Sequence, residues 1–170
     1  NVYIANNTFS TRDDCIALKA GKDWSGRMVN MSTENVLIEH NELTRGHGVA
    51  LGSETSGWIR NVVVRDMQLQ GVEAVVRIKS MRGRGGGVEN VLYERITGAV
   101  DQALQINLDY KNAKPTNASA TPIVRNITLR NIAVTTNSSA TLCVGLSDSE
   151  IRDLSAVNVT IFGQLGQRCA

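Results

Sequence analysis

One pattern recurs along the whole chain and constrains its fold more than any other feature. An asparagine is followed by alternating apolar and polar residues: NVYIANNTF from Asn1, NVLIEHNEL from Asn35, NVVVRDMQL from Asn61, NVLYERITG from Asn90 and NITLRNIAV from Asn126. A degenerate sixth copy, DLSAVNVTI, begins at Asp153. The copies are 34, 26, 29, 36 and 27 residues apart, and such periods mean a solenoid or an array. The alternation has period two, so each unit opens with a strand. A second pattern follows 14 or 15 residues after the leading asparagine: IALK from Ile16, VALG from Val49, VRIK from Val76 and LQIN from Leu104. A looser copy, VGLS from Val144, lies 18 residues after Asn126. Two strands in register in every unit describe the coils of a parallel β-helix. Helix formers do not recur at 3.6 spacing, which argues against leucine-rich and ankyrin arrays. A β-propeller needs four strands in about 40 residues per blade, which these intervals rarely allow.

Composition agrees with an all-β solenoid. Val, Ile and Thr make up 43 of the 170 residues, against seven Phe, Trp and Tyr, a balance that favours stacked β-branched side chains in sheet. The expected unit is one β-helix domain over residues 1–170, with about six coils. The net charge of +2 points to no nucleic-acid partner, and no apolar run of about 18 residues is present to span a membrane. Three cysteines cannot form a closed disulfide framework, and their spacing is not that of a zinc site. Cys15 lies in an apolar run and is expected as a buried thiol; Cys143 and Cys169 are able to pair. Asn-x-Ser/Thr sequons occur at Asn6, Asn30, Asn117, Asn126, Asn137 and Asn158. They are compatible with a secreted glycoprotein, and an Asn- and Thr-rich strand repeat also generates them by chance.

Within the second strand, alternation fixes direction. Ile16, Leu18, Val49, Leu51, Val76, Ile78, Leu104 and Ile106 point inward and stack coil upon coil. Ala17 and Lys19, Ala50 and Gly52, Arg77 and Lys79, and Gln105 and Asn107 point outward. Taken alone, Arg77 and Lys79 read equally well as a solvated basic patch. Aligning the copies places Asp14, of the Asp13-Asp14 pair, beside His47 one coil on. Two carboxylates, a histidine and an Arg/Lys pair therefore converge on one groove. A carboxylate pair suits glycoside hydrolysis, in which one group protonates the leaving oxygen and another activates water. Repulsion between close carboxylates is expected to raise one of their pKa values and keep a proton available. An adjacent Arg and Lys suit an anionic sugar such as a uronic acid. Asp-Asp alone is common in turns, and glycines flanking a histidine also make a tight turn, so the information lies in the common register.

The segments DDCIALKAGKD (13–23) and RGHGVALGSETSG (45–57) and the triplet RIK (77–79) resemble the polygalacturonases of glycoside hydrolase family 28, in order and in coil spacing. MRGRGGGVENV (81–91) is similar to bacterial and plant-type members. The resemblance implies a right-handed parallel β-helix and metal-free, inverting hydrolysis of α-1,4 bonds between galacturonic acid units of pectin. No cofactor is implied, and the partner is a polygalacturonan or pectin oligosaccharide bound by a secreted monomer. Asp13 matches the general acid, Asp14 a water-activating carboxylate, and His47 the histidine beside the acid. Arg77 and Lys79 match the residues that bind a substrate carboxylate next to the cleaved bond. Tyr110, in LQINLDY, matches a tyrosine of the substrate groove, the alternative being a surface-loop tyrosine.

Two features depart from the family pattern. The family has a further Asp, in an Asn-Thr-Asp motif one coil before the Asp pair, and no such motif occurs in this sequence. From that departure the chain is expected to be a β-helix incomplete at its N-terminal end, with weak or no activity by itself. Fungal members also often carry a cysteine just before the Gly-His-Gly block, where this chain has Leu43, Thr44 and Arg45, so Cys15 lacks that partner. Three other readings are open. A pectate lyase would need calcium and more acidic ligands than this groove offers. A rhamnogalacturonan hydrolase typically lacks the histidine and the RIK triplet. A non-catalytic pectin-binding solenoid would keep the cations without needing the Asp pair.

Overall fold

A computed structural model of the chain describes residues 1–110, 119–138 and 141–163. Its elements are β1 (Val2–Ala5), β2 (Thr8–Ser10), β3 (Ile16–Leu18), α1 (Asp23–Val29), β4 (Thr33–Glu39), β5 (Glu42–Arg45), β6 (Val49–Gly52), β7 (Ile59–Lys79), β8 (Gly87–Asn107), β9 (Ile123–Thr136), β10 (Thr141–Val144) and β11 (Ile151–Phe162). Named strands pair in parallel throughout, with the first-face order β1-β4-β7-β8-β9-β11. The register brings every copy of the leading repeat side by side: Val2 faces Val36, which faces Val62, then Val91, Ile127 and Leu154. This is a parallel β-helix.

Among the described residues, each of the first five coils has three strand segments rather than the two read from sequence. The short middle one is β2 in one coil and β5 in the next, paired Phe9 to Leu43. In β7 and β8 the segments run on as single 21-residue strands. The middle segment escapes a sequence reading because only a short bend separates it from the first. The bend is a left-handed residue in successive coils: Asn6, His40, Asp66, Arg95, Asn131 and Asn158, with φ between 49° and 60°. A second left-handed column explains why asparagine leads the repeat. Asn35, Asn61, Asn90, Asn126 and Asp153 have φ between 53° and 56°, a region that asparagine and aspartate tolerate better than other non-glycine residues.

The leading asparagines also bond to one another. Asn61 Nδ2 donates to Asn35 Oδ1 at 3.4 Å, Asn90 to Asn61 at 3.2 Å and Asn126 to Asn90 at 2.7 Å. Two of the sequon asparagines, Asn126 and Asn158, thus belong to such ladders; Asn117 lies outside the described residues. Replacing Asn90 by alanine forces an alanine into the left-handed region and removes both ladder bonds. The expected cost is about 2 kcal/mol, read as a lowered urea midpoint. Asn90→Gly should cost less, because glycine adopts this φ freely. Equal stability of the alanine variant and the parent would show that the ladder contributes nothing.

The inward residues expected from alternation are all buried, from Ile16 and Leu18 through Val49, Leu51, Val76 and Ile78 to Leu104 and Ile106. The fifth copy of the second pattern lies elsewhere than expected. Thr141 to Val144 pairs with Leu104 to Asn107, so TLCV rather than VGLS continues the stack, and Cys143 fills the inward position of Ile106. Cys143 is buried and disulfide-bonded; Cys169 lies outside the described residues. Cys15 is free and only half-buried, not buried as expected, because it lies in the turn before β3, where its Sγ donates to Arg45 O at 3.2 Å. Among these residues no helix is long and apolar enough to cross a membrane.

Candidate active site

The site is built on the third face of the coils, where β3, β6, β7 and β8 lie side by side. Asp13 and Asp14 form the turn that leads into β3, and Gly46-His47-Gly48 the turn into β6. His47 N donates to Asp13 O at 3.0 Å, and Cys15 N to Gly48 O at 3.0 Å, so Asp14 and His47 stand abreast as the alignment requires. The two glycines are there for close approach. A Cβ on Gly46 would sit 2.3 Å from Thr11 Oγ1 and 2.7 Å from Asp13 O, and one on Gly48 2.4 Å from Ala74 O. Both also have positive φ, so substitution is strained twice over.

One coil further, Arg77 is in register with Ala50, and Lys79 with Gly52. These small neighbours leave the long cationic side chains room to lean back over the preceding coils. Lys79 Nζ reaches both oxygens of Asp14, at 2.9 and 3.1 Å, and Arg77 Nε lies 3.4 Å from Asp14 Oδ1. The side chains of Lys79 and Arg77 are only 9% and 6% exposed. A solvated basic patch is therefore not what this face carries. His47 Nδ1 lies 3.1 Å from Asp13 Oδ1 and 3.5 Å from Asp14 Oδ1. The Tyr110 ring stands 5.5 Å from Lys79 Nζ, held there by its own N–H donating to Ser80 O at 3.0 Å. All six residues singled out from sequence thus meet in one place.

Comparisons with known proteins assign the chain to a family. Residues 1–170 match the family described as Glycosyl hydrolases family 28. The chain belongs to that family. It is 38% identical over 136 residues to a polygalacturonase of Ralstonia nicotianae, covering 77% of this chain and 24% of the relative. It is 41% identical over 96 residues to an endo-polygalacturonase of Pectobacterium carotovorum, covering 56% of this chain and 22% of the relative. The family 28 chain therefore spans about a quarter of the length of these curated relatives. Among solved structures, a hyperthermoactive exopolygalacturonase from Thermotoga maritima matches with TM-score 0.84 and 30% identity, over 96% of this chain and 39% of that one. A family 28 exopolygalacturonase from Yersinia enterocolitica matches in fold, with TM-score 0.75 and 19% identity over 100% of this chain and 36% of that one. The β-helix is right-handed, as in the family.

One residue of this site escapes a reading by alignment. Glu73 Oε1 accepts from Arg77 Nη1 and from Gln105 Nε2, the latter at 2.8 Å, while Glu73 Oε2 lies 3.6 Å from His47 Nε2. Gln105 Oε1 also accepts from Arg77 Nη1. Counting back from the aligned strand puts Ala74, not Glu73, level with His47. Gly46 bridges to Val72, which sets His47 level with Glu73, whereas Ala50 is level with Arg77; the extra residue between Val72 and Arg77 moves Glu73 into the site by one residue. Its alternation with Arg77 and Lys79 is the one signal in the sequence that could have exposed it.

The electrostatics differ from expectation at Asp13. Its carboxyl is held below the usual range, chiefly because Asp14 N donates to its Oδ1 at 2.7 Å, with His47 adding to the effect. Repulsion from Asp14 does not dominate, since Lys79 and Arg77 neutralise that carboxylate and the Asp13 side chain is 85% exposed. Asp13, Asp14 and His47 offer ligand atoms within 4.8 Å of one another. However, the Lys79 ammonium already grips both Asp14 oxygens, which disfavours a metal ion there. Glu39, His40 and Asp66 form a second such group, with its carboxylates engaged by Arg65 and Arg95.

Near the site, Arg82 grips Asp148 with two guanidinium nitrogens and ties the loop after β7 to the turn after β10. This pulls the Asp148 carboxyl down to about 2. A depressed carboxyl contributes stability above its unfolded pKa and loses it as pH falls through the folded one. The Arg82–Asp148 contribution should thus be intact at pH 5 and fade between about pH 4 and 2. Carbon NMR of the Asp148 carboxyl checks this; an ordinary midpoint near 3.9 would show that the pair does not form.

Proposed function

We propose that this segment carries the acid and carboxylate-binding part of an enzyme that hydrolyses the α-1,4-galacturonosidic bonds of polygalacturonan outside the cell. The observation that carries the reading is the convergence of Asp13, Asp14 and His47 with two buried cations, Lys79 and Arg77. In this reading Asp13 gives its proton to the glycosidic oxygen, and Asp14 takes a proton from the water that attacks the anomeric carbon. Lys79 and Arg77, with Tyr110 beside them, receive the carboxylate of the sugar next to the cleaved bond. Two buried donors, His47 Nδ1 and Arg77 Nε, lack a completed hydrogen bond, and a water or sugar oxygen at Asp14 would supply one. The names of the relatives in Ralstonia and Pectobacterium support the same substrate.

Inversion rests on the family resemblance rather than on carboxylate separation. The Asp13 and Asp14 ligand atoms lie within 4.8 Å, closer than the roughly 6.5–9.5 Å of an ordinary inverting pair. The further carboxylate expected from an Asn-Thr-Asp motif is not among these residues, and full turnover is proposed to need it. The test is to incubate polygalacturonan with this chain and with a longer form that includes such a motif. Reducing ends should appear with the longer form, the first product should be the β-anomer by proton NMR, and a chelator should not slow the reaction. An unsaturated product with chelator-sensitive formation would replace hydrolysis by elimination.

A further inference from the structure

A second cationic surface lies on the other side of the Asp13–His47 pair from Lys79. An open cavity of about 400 Å³ is lined by Thr11, Arg12, Arg45, His47, Glu73 and Asp101, with Gly46 at its base. Arg12 and Arg45 come from adjacent coils, brought together where Thr11 N donates to Arg45 O at 3.1 Å. Among the described residues, neither guanidinium has an ion-pair or side-chain hydrogen-bond partner. That sets them apart from Arg65, Arg77, Arg84 and Arg95, each of which is held by a carboxylate. Two unpaired like charges on neighbouring coils repel each other, and an anion between them relieves that cost.

The next coil keeps the space open. Gly46 bridges to Val72, so the position after Arg45 in the column is Gly71, which has no side chain. A Cβ there would meet nothing within 4 Å. Two acidic residues complete the lining. Glu73 is already engaged by Arg77 and Gln105, and Asp101 comes from one coil further on. Arg12 directly precedes Asp13 and Arg45 lies two residues before His47, so both cations enter the cavity beside that pair.

Resting on the polygalacturonan reading above, we propose that Arg12 and Arg45 form a second carboxylate subsite. It would take the uronate on the opposite side of the cleaved bond from the one held by Lys79 and Arg77. Two cation pairs flanking the acid fit a polymer that presents a carboxylate on every sugar. A guanidinium fork matches carboxylate geometry, and a neutral or methyl-esterified sugar would gain nothing from it.

The test is a titration of the full 170-residue chain with trigalacturonate and with its fully methyl-esterified form, followed by calorimetry. R12Q/R45Q should weaken trigalacturonate binding about five- to tenfold, as expected for two exposed charge contacts. Binding of the ester should be unchanged. Both side chains are exposed and unpaired, so the circular dichroism melt should match that of the parent. Should R12Q/R45Q melt early, R12K/R45K takes its place, and it should retain part of the preference for the acid over the ester. If K79A loses trigalacturonate while the double variant binds as the parent does, the subsite is wrong and the polygalacturonan reading stands. Equal loss for acid and ester also overturns the subsite, because charge recognition is then absent. A parent chain that binds neither ligand defeats both proposals.

Discussion

Asp14→Asn is expected to destabilise the protein by about 3 kcal/mol or more, although the substitution keeps the side-chain shape. The reason is the company that Asp14 keeps. Its side chain is 11% exposed and takes both oxygens to the Lys79 ammonium, with Arg77 Nε at 3.4 Å. Asparagine leaves Lys79 buried without a counter-charge, whereas Arg77 retains Glu73. Removing one partner of a buried pair costs more than the pair itself contributes, because the other charge stays desolvated. The double variant D14N/K79M should therefore recover most of the loss, methionine filling a similar volume without the charge. Urea unfolding of the parent, both single variants and the double variant closes the cycle. An unchanged midpoint for D14N would mean that Lys79 finds water, and that the pair seen here contributes little to stability.

What the sequence made legible depended on whether a position kept strict period. The stack of Val49, Leu51, Val76 and Ile78 was readable because inward positions recur at fixed spacing and burial tolerates only apolar side chains there. The leading asparagine was readable because one conformation, a left-handed bend, is required at the same point of every coil. The meeting of Asp14 with His47 followed from the same register. Legibility failed where the period slips or continues unbroken. An extra residue between Val72 and Arg77 hid Glu73 by one residue, and a short bend hid the middle strand Glu42–Arg45 inside the alternation of its neighbour. Burial of Arg77 and Lys79 was out of reach for a different reason. Alternation says which side of the strand a residue leaves from, not that Asp14 and Glu73 will fold over it. The same limit applied to Asp13, whose low pKa comes from a backbone N–H that no pattern announces.

Asp13→Asn should have the opposite profile from its neighbour: full stability and almost no turnover. The side chain is 85% exposed, so the folded state changes by no more than about 0.5 kcal/mol. The asparagine oxygen can still accept from Asp14 N. With Asp13 as the proposed general acid, turnover of polygalacturonan, measured in a form that shows it, should fall by about 10²–10⁴. Binding of trigalacturonate should persist, since Lys79 and Arg77 are untouched. The pH profile supplies a second check with a definite sign. In the free chain Asp13 is held low, so its protonated form is scarce at neutral pH. Bound substrate brings a nearby carboxylate and excludes water, and both raise a carboxyl pKa. An acid that must be protonated loses activity as pH rises through its pKa. The basic limb of kcat, which reports the complex, should therefore lie at higher pH than the basic limb of kcat/KM, which reports the free enzyme. Superimposed limbs would show that substrate does not retune Asp13, and retained turnover in D13N would remove it from the acid role altogether.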